Sequence, residues 1–178
     1  MIAATRAWVE QAIIGLNLCP FARAVYVKDQ VRFVVSPARA VGALRDDLEA
    51  ELRHLMAMPA AVVETTLLIH PHVLSDFLDY NDFLDVADAS IQRLELAGVI
   101  QVASFHPRYQ FAGTEPDDVT NYTNRSPFPV LHLLREESVE RAIAAFPGVD
   151  QIYQHNLDAM RRLGLTGLAA AGLIPRPE

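Results

Sequence analysis

Hydrophobic positions along the chain alternate between short continuous runs and longer segments in which apolar residues recur every three or four positions. The short runs are rich in branched and aromatic side chains, which is typical of buried strands. The predicted strands are residues 31–35, 62–69, 99–105 and 129–134. The periodic segments predict helices, because that spacing places the apolar side chains on one face. The predicted helices are residues 2–15, 37–57, 73–97, 137–146 and 150–163.

Local signals support several of these boundaries. Ser36 before Pro37 is typical of a helix start, because the hydroxyl caps free amides and proline needs no amide hydrogen at that position. Asp150 is the expected cap of the last helix, and Gly164 is its expected end. Gly15 marks the expected end of the first helix.

The order of these elements is strand, helix, strand, helix, strand, which predicts parallel pairing through right-handed crossovers. We therefore expect an α/β fold. It would be a single layered domain with about four strands in a mostly parallel or mixed sheet, helices packed on it, and a long loop before the last strand. The direction of the fourth strand stays open. Residues 1–174 are expected to form the domain and residues 175–178 a frayed tail.

Composition narrows the class of protein. With 51% hydrophobic and 21% charged residues in 178, the chain belongs among globular proteins. Its net charge of −7 argues against nucleic acid and against a membrane surface as partner, because both are bound chiefly through Lys and Arg. The single cysteine, Cys19, excludes an internal disulfide, and Arg6 and Glu10 stand where a signal peptide would be apolar. These features predict a cytoplasmic protein.

Three predicted strands end in the same way. Ser36, His70 and His106 each occupy the last position of a strand and each precede a proline. If the strands are parallel, these side chains share the carboxyl edge of the sheet, where open α/β folds bind ligands. The alternative is structural, since proline ends strand pairing, Ser36 suits a helix cap, and an imidazole can bond a neighbouring carbonyl.

A metal site is a further alternative at this edge. His70 and His72 flank Pro71, and His106 is expected nearby, so two or three imidazoles could converge. The chain has neither the helical histidine pair of zinc proteases nor paired cysteines. We therefore predict no metal and no cofactor, and retain His70, His72 and His106 as the alternative.

Cys19 is a candidate nucleophile. If Pro20 opens a short helix through Val25, Cys19 lies where amide dipoles stabilise a thiolate. His106 would then act as the general acid or base. The alternative for Cys19 is a small buried apolar side chain, which is a common state of free cysteine.

The segment from 106 to 129 is unusually long for a loop without periodicity, and such loops are often functional. It contains polar groups suited to fixing a small ligand, with Arg125 offering a planar fork for carboxylate or phosphate. These groups are Arg108, Asn121, Asn124, Arg125 and Ser126. One alternative is a loop that packs its own rings and bonds its own backbone. Another is an interface with a partner or with a second copy of the chain.

Three blocks of sequence carry a family resemblance. "IGLNLCPFA", "FLDVADA" and "QVASFHPRYQFAGTEPDDVTNYTNRSPFPVLHLLREESVERA" are similar to the recurring blocks of the bacterial domain-of-unknown-function family 1415. The likeness runs from about residue 5 to residue 164. It implies a single small cytoplasmic bacterial domain. The blocks include Cys19, His106, Asn124 and Arg125, but the family supplies no role for them.

These observations favour a small-molecule-binding domain or an enzyme, with its site at the carboxyl edge of the sheet. The ligand would be anionic, and a hydrolase or transferase acting on a small acyl or phosphate compound is the most concrete version. A non-catalytic interaction or homo-oligomeric assembly module that uses the 106–129 loop is the alternative, and metal binding is the third.

Overall fold

A computed structural model describes residues 1–146, 148 and 151–174 of the chain. Within these ranges there are six α-helices and four strands. The helices are α1 (Ile2–Trp8), α2 (Ala22–Val27), α3 (Val41–Ala57), α4 (Phe77–Arg93), α5 (Glu136–Ala145) and α6 (Ile152–Ala170). The strands are β1 (Val31–Val35), β2 (Thr65–Ile69), β3 (Ile100–Phe105) and β4 (Val130–Arg135). A π-helical segment, Val9–Ile14, continues α1, and a 3₁₀ helix, Val119–Thr123, lies within the long loop.

The four strands form one mixed sheet in the order β1-β2-β4-β3. β1 and β2 pair in parallel, with Val35 opposite Ile69, whereas β4 runs antiparallel to both β2 and β3. The expected α/β fold with a four-stranded mixed sheet is therefore confirmed. The expectation that β3 pairs in parallel with β2 is wrong, because β4 lies between them.

β1, β2 and β3 still point in the same direction, since β2 and β3 are both antiparallel to the strand between them. Their carboxyl ends therefore share one edge of the sheet. β4 begins at that edge, where Val130 pairs with Phe105. The loop from 106 to 129 thus leaves and re-enters the sheet at the edge where ligands were expected.

Helices α3 and α4 cover one face of the sheet and enclose the larger core. Tyr80 and Phe83 of α4 belong to it, together with Leu68, Leu131 and Leu133 of the sheet. α3 adds four leucines that have no solvent exposure. They are Leu44, Leu48, Leu52 and Leu55. Burying each such side chain stabilises the fold by about 1.5 to 3 kcal/mol before entropy is counted.

The N-terminal helical segment packs on the opposite face, close to the edge where β1, β2 and β3 end. Trp8 and Val9 contact Ile69 and Val130 in a second core. The ring of Trp8 also meets the ring of Phe105 edge-on, with centroids 5.2 Å apart. The end of β3, from which the long loop leaves, is therefore in contact with the first helix of the chain.

Two elements begin later than their apolar patterns predict. The strand expected from residue 62 begins at Thr65, because the N–H of Val62 bonds to the carbonyl of Pro59 in a turn. The helix expected from residue 73 begins at Phe77, because the carboxylate of Asp76 caps the free N–H groups of its first turn. Hydrogen bonds that end pairing or start a helix decided these boundaries.

The last helix, α6, is kinked at Gly164, where φ is 59° and ψ is 178°. Glycine adopts this conformation at no steric cost, so the expected helix end is present as a break after which a short second segment follows. Asp150, the expected cap, and residues 175–178, the expected tail, lie outside the described residues. Among the described residues, no helix is long and apolar enough to cross a membrane.

Candidate functional site

Ser36, His70 and His106 follow directly after β1, β2 and β3 and lie at the shared carboxyl edge. The alternation of side chains along each strand turns all three toward the face covered by α3 and α4. Each is at most 1% exposed. The three polar groups at the strand ends are thus part of the protein interior, and none is open to a ligand in this conformation.

Tyr80 of α4 lies between the two histidines. Its ring stacks on His70 with centroids 5.6 Å apart and meets His106 at 5.1 Å. The hydroxyl donates to the carbonyl of Val130 at 2.8 Å and accepts from the N–H of Phe105 at 3.1 Å. Tyr80 therefore joins α4 to the end of β3 and the start of β4, which are the two ends of the long loop.

Both ring nitrogens of His106 have backbone partners. Nδ1 accepts from the N–H of Arg108 at 3.0 Å, so Nε2 carries the proton and donates to the carbonyl of Leu74 at 3.2 Å. Burial, together with the nearby positive charge of Arg108, lowers the pKa of His106, against the opposing effect of the Leu74 carbonyl and Asp76. A neutral imidazole with both nitrogens bonded holds the first turn of the loop in place.

His70 has one satisfied nitrogen and one without a partner. Nδ1 lies 3.2 Å from the carbonyl of Val73, whereas Nε2 is buried without a hydrogen bond among the described residues. Burial lowers the pKa of His70 to about 4, and the proximity of His106 acts in the same direction. The ring is therefore neutral at physiological pH.

Ser36 did not become the cap of the helix that follows it. Its hydroxyl donates to Asp47 at 2.6 Å and accepts from the N–H of Ala38 at 3.1 Å. This local turn occupies residues 36 to 40, so α3 begins at Val41 and the prediction that it starts at residue 37 is wrong. The bonds of Ser36 fix the connection between β1 and α3.

The metal-binding alternative required convergence of His70, His72 and His106. His72 is exposed, whereas the other two side chains are buried. Across residues 1–146, 148 and 151–174, no three His, Cys, Asp or Glu side chains are arranged to hold a metal ion. The described part of the chain therefore gives the metal alternative no support.

Cys19 precedes a short helix, as expected, but that helix has only six residues and begins at Ala22. The N–H groups of Phe21 and Ala22 act to lower the pKa of the Cys19 thiol, and burial outweighs them, so the pKa is raised. The expected stabilisation of a thiolate by amides is present but insufficient. The structure gives Cys19 and His106 separate backbone partners, and their joint catalytic role stays a prediction.

The long loop is ordered by its own polar residues. Asn121 is fully buried, and its Oδ1 accepts from the N–H of Phe111 at 3.0 Å and from the hydroxyl of Thr114 at 2.9 Å. Its Nδ2 donates to the carbonyl of Glu115 at 2.9 Å. These bonds connect the first half of the loop to its 3₁₀ helix, so Asn121 stabilises the folded conformation of the loop.

We expect Asn121→Ala to lower the free energy of unfolding by about 2 kcal/mol, because it removes the hydrogen bonds that a fully buried amide makes to Phe111, Thr114 and Glu115. Urea denaturation of the variant and the parent measures this difference. Asn81→Ala, at an exposed position of α4, is the matched control and should change stability by less than about 0.5 kcal/mol. Equal stability of Asn121→Ala and the parent would contradict the role of Asn121 in ordering the loop.

Two further polar residues of the loop also bond to the chain itself. Asn124 lies with Nδ2 3.4 Å from the carbonyl of Ser104, and its own carbonyl accepts from the N–H of His106. Ser126 donates to the carbonyl of Phe128 at 2.6 Å. Their predicted ligand contacts stay predictions, whereas their structural bonds are defined.

Arg108 is an exposed cation at the start of the loop. Its guanidinium donates to the carbonyl of Ser75 at 2.5 Å and lies 3.6 Å from the carboxylate of Asp76. These contacts tether the loop to the start of α4. Because Asp76 offsets its charge, Arg108 is a weaker anion-binding candidate than its sequence position suggested.

Arg125 has a different environment. Nε donates to the carbonyl of Tyr109 at 3.1 Å and Nη2 to that of Pro116 at 2.6 Å. The guanidinium carbon lies 4.4 Å from the ring centroid of Tyr122, in a cation–π contact. A guanidinium has five N–H groups, so these two bonds orient it and leave others available. In the described part of the chain it has no carboxylate partner.

Arg125 lines a cleft of about 560 Å³ at the carboxyl edge of the sheet. Three segments form the cleft. The first is the N-terminal helix, with Ala4, Ala7, Trp8 and Gln11. The second is the long loop, with Pro107, Tyr122, Arg125, Ser126 and Pro127, and the third follows α6, with Gly172, Leu173 and Ile174. A volume of this size is typical of small-molecule sites.

The loop wall of this cleft was predicted from the sequence. The walls formed by the N-terminal helix and by the residues after α6 were not predicted. The N-terminal wall carried a readable signal, because Ala4, Ala7 and Gln11 recur at helical spacing and place small or polar side chains along one face of the helix. Leu173 carried no such signal, since its position depends on the αL glycine at 172, where φ is 73°.

The fold and the site together define a compact α/β domain with a mixed four-stranded sheet and a cleft at one sheet edge. The chain belongs to the family described as "Protein of unknown function (DUF1415)", whose model matches residues 1–170. This match confirms the resemblance carried by the three sequence blocks, and it includes all four strands of the sheet. No curated protein and no solved structure matches the chain.

Proposed function

We propose that this protein binds a small anionic molecule in the cleft lined by Arg125. The proposal rests on the contacts of that guanidinium. It donates to two backbone carbonyls and packs on the ring of Tyr122, and it has no carboxylate partner among the described residues. A cation already oriented loses little entropy on binding an anion, so pre-organisation favours affinity. Charge-assisted hydrogen bonds to a carboxylate or phosphate would supply the attraction.

Trp8 provides a direct test, because it is the single tryptophan of the chain and lines the cleft. We expect its fluorescence to change saturably with at least one anion from a panel of octanoate, citrate, inorganic phosphate and glycerol phosphate. Arg125→Gln should weaken that binding by about 10- to 100-fold, which corresponds to the loss of a charged hydrogen-bonding group.

Arg108→Gln is the matched control, since Arg108 belongs to the same loop and also donates to a backbone carbonyl but lies outside the cleft. It should leave the binding unchanged. Absence of a saturable signal with every anion would contradict the proposal. Equal weakening by Arg108→Gln and Arg125→Gln would also contradict it, because binding would then follow net charge and not the cleft.

Three other expectations stay predictions. Catalysis by Cys19 and His106 would require both side chains to exchange their present backbone contacts for each other. Assembly through the 106–129 loop would compete with contacts within the chain, since Val119 and Tyr122 pack beside Met160 and Leu168. The cytoplasmic location rests on the cysteine and charge pattern of the sequence.

A further inference from the structure

The charge of the cleft limits the ligand that it can hold. Arg125 is the single charged residue among those that line it in the described part of the chain. One guanidinium balances one negative charge, and the net charge of −7 disfavours further anionic groups nearby. A monoanion therefore fits this cleft better than a phosphate dianion or a polycarboxylate.

The polar groups of the cleft are also few. The hydroxyl of Ser126 already donates its proton to the carbonyl of Phe128. Apart from Arg125, the other side-chain donors of the lining are the amide of Gln11, the indole N–H of Trp8 and the hydroxyl of Tyr122. A sugar or nucleotide carries more hydroxyl and phosphate groups than these three donors can bond, and each polar group left unsatisfied weakens binding. The lining thus disfavours hydroxyl-rich ligands.

Apolar surface makes up the rest of the walls. Ala4, Ala7 and Trp8 form one side, and Leu173 and Ile174 form another. The two alanines leave space that larger side chains would fill, and the ring of Trp8 provides a flat wall. At 560 Å³ the cleft is far larger than acetate or any other bare anionic head, so an apolar body would be needed to fill it.

From the single cation, the small number of neutral donors and the apolar walls, we infer that the ligand is a monocarboxylic acid with an apolar body, of the kind represented by octanoate. This inference rests on the proposed function, because it assigns a chemical class to the same cleft. The carboxylate would bond to the available N–H groups of Arg125, and the body would lie against Ala7, Trp8 and Leu173.

Four probes, titrated against the full chain with Trp8 fluorescence as the readout, test the assigned class. Octanoate should bind with one-to-one stoichiometry and at least about 100-fold more tightly than acetate, because its methylene groups are buried. It should bind at least about 10-fold more tightly than octanamide, which has the same body without the charge. It should also bind more tightly than octyl phosphate.

Two variants of α1 locate the binding. Ala7→Leu fills the cleft from its N-terminal wall and should weaken octanoate binding by at least about 10-fold, whereas Ala3→Leu, at an exposed position outside the lining, should not. Circular dichroism and urea denaturation show whether both variants are folded. If Ala7→Leu does not fold, Ala4→Val, which adds less volume to the same wall, takes its place.

The failures of the two proposals are distinguishable. If citrate, phosphate or octyl phosphate binds in an Arg125-dependent manner and octanoate does not, the ligand class is overturned and the proposed function stands. If octanoate binds equally to the parent, Ala7→Leu and Arg125→Gln, it binds outside the cleft and the class is again overturned. If no anion binds, both proposals are overturned.

Discussion

Tyr80→Ala is expected to lower the free energy of unfolding by about 4 kcal/mol, because it removes a fully buried ring from between His70 and His106. Against a total stability of about 5 to 15 kcal/mol for a domain of ordinary stability, this is a large loss. Chemical denaturation followed by circular dichroism measures it. The far-UV spectrum at zero denaturant shows whether the variant is folded at all.

Tyr80→Phe separates the hydroxyl from the ring. It keeps the volume of the core and removes the two hydrogen bonds of the hydroxyl, to the carbonyl of Val130 and from the N–H of Phe105. We expect a loss of about 2 kcal/mol from these two hydrogen bonds. If Tyr80→Phe were as stable as the parent, the hydroxyl would not hold the ends of β3 and β4 together, and the description of Tyr80 as their link would be wrong.

The second large effect is a dependence of stability on pH. Burial lowers the pKa of His70 from 6.5 to about 4 in the folded state. As the pH falls below 6.5, the unfolded chain binds a proton at His70 before the folded protein does, so the free energy of unfolding decreases. Between pH 7.5 and pH 4 His70 should account for about 3 kcal/mol of this decrease.

His70→Gln should remove that part of the pH dependence. The quantity to compare is the difference in free energy of unfolding between pH 7.5 and pH 4, so a constant loss of stability in the variant does not affect the result. His72→Gln is the control, because His72 is exposed and two residues away. Parallel pH profiles for the parent and His70→Gln would contradict the assignment of a buried neutral imidazole.

His132 should contribute to the same decrease in the free energy of unfolding at acid pH. Burial within the sheet lowers its pKa to about 4, and its Nε2 lies 2.6 Å from the hydroxyl of Thr65. His106 acts in the same direction, since its pKa is also lowered. The total loss of stability toward acid pH should therefore exceed the part that His70→Gln removes.

The secondary structure could largely be predicted from the sequence because it depends on local patterns. The apolar run from Val31 to Val35 predicts both ends of β1 correctly. The spacing of the leucines in α3 predicts which face of that helix is buried. The start of α3 could not be predicted, because Ser36 bonds to Asp47 eleven residues away instead of capping the helix. The pairing partner of β3 also depends on contacts that no local pattern contains.

The site could be predicted only in part, for a related reason. The strand-end residues were correctly placed at one edge, but alternation along the strands turns them inward under α4, and the open surface lies elsewhere. The cleft joins residues near 4, 125 and 173, which are distant in sequence. Arg125 could be chosen as a candidate anion-binding residue from its loop, whereas the walls that give the cleft its apolar character required the folded chain.

In the proposed site, Arg125 would combine a structural role with a binding role. Its bonds to Tyr109 and Pro116 stabilise the loop, and its contact with Tyr122 fixes the plane of the guanidinium. The same bonds aim the group at the cleft. The neighbouring asparagines, by contrast, have their polar atoms engaged within the chain.

We propose that the cleft between the N-terminal helix and the long loop binds an anion through Arg125. The most direct measurement is a ¹H–¹⁵N correlation spectrum of the protein titrated with octanoate, in which the single indole N–H signal belongs to Trp8. We expect this signal to shift saturably in the parent and in Arg108→Gln, and we expect Arg125→Gln to need about 10- to 100-fold more octanoate for the same shift. An indole signal that stays fixed while octanoate binds elsewhere on the protein would contradict the proposal.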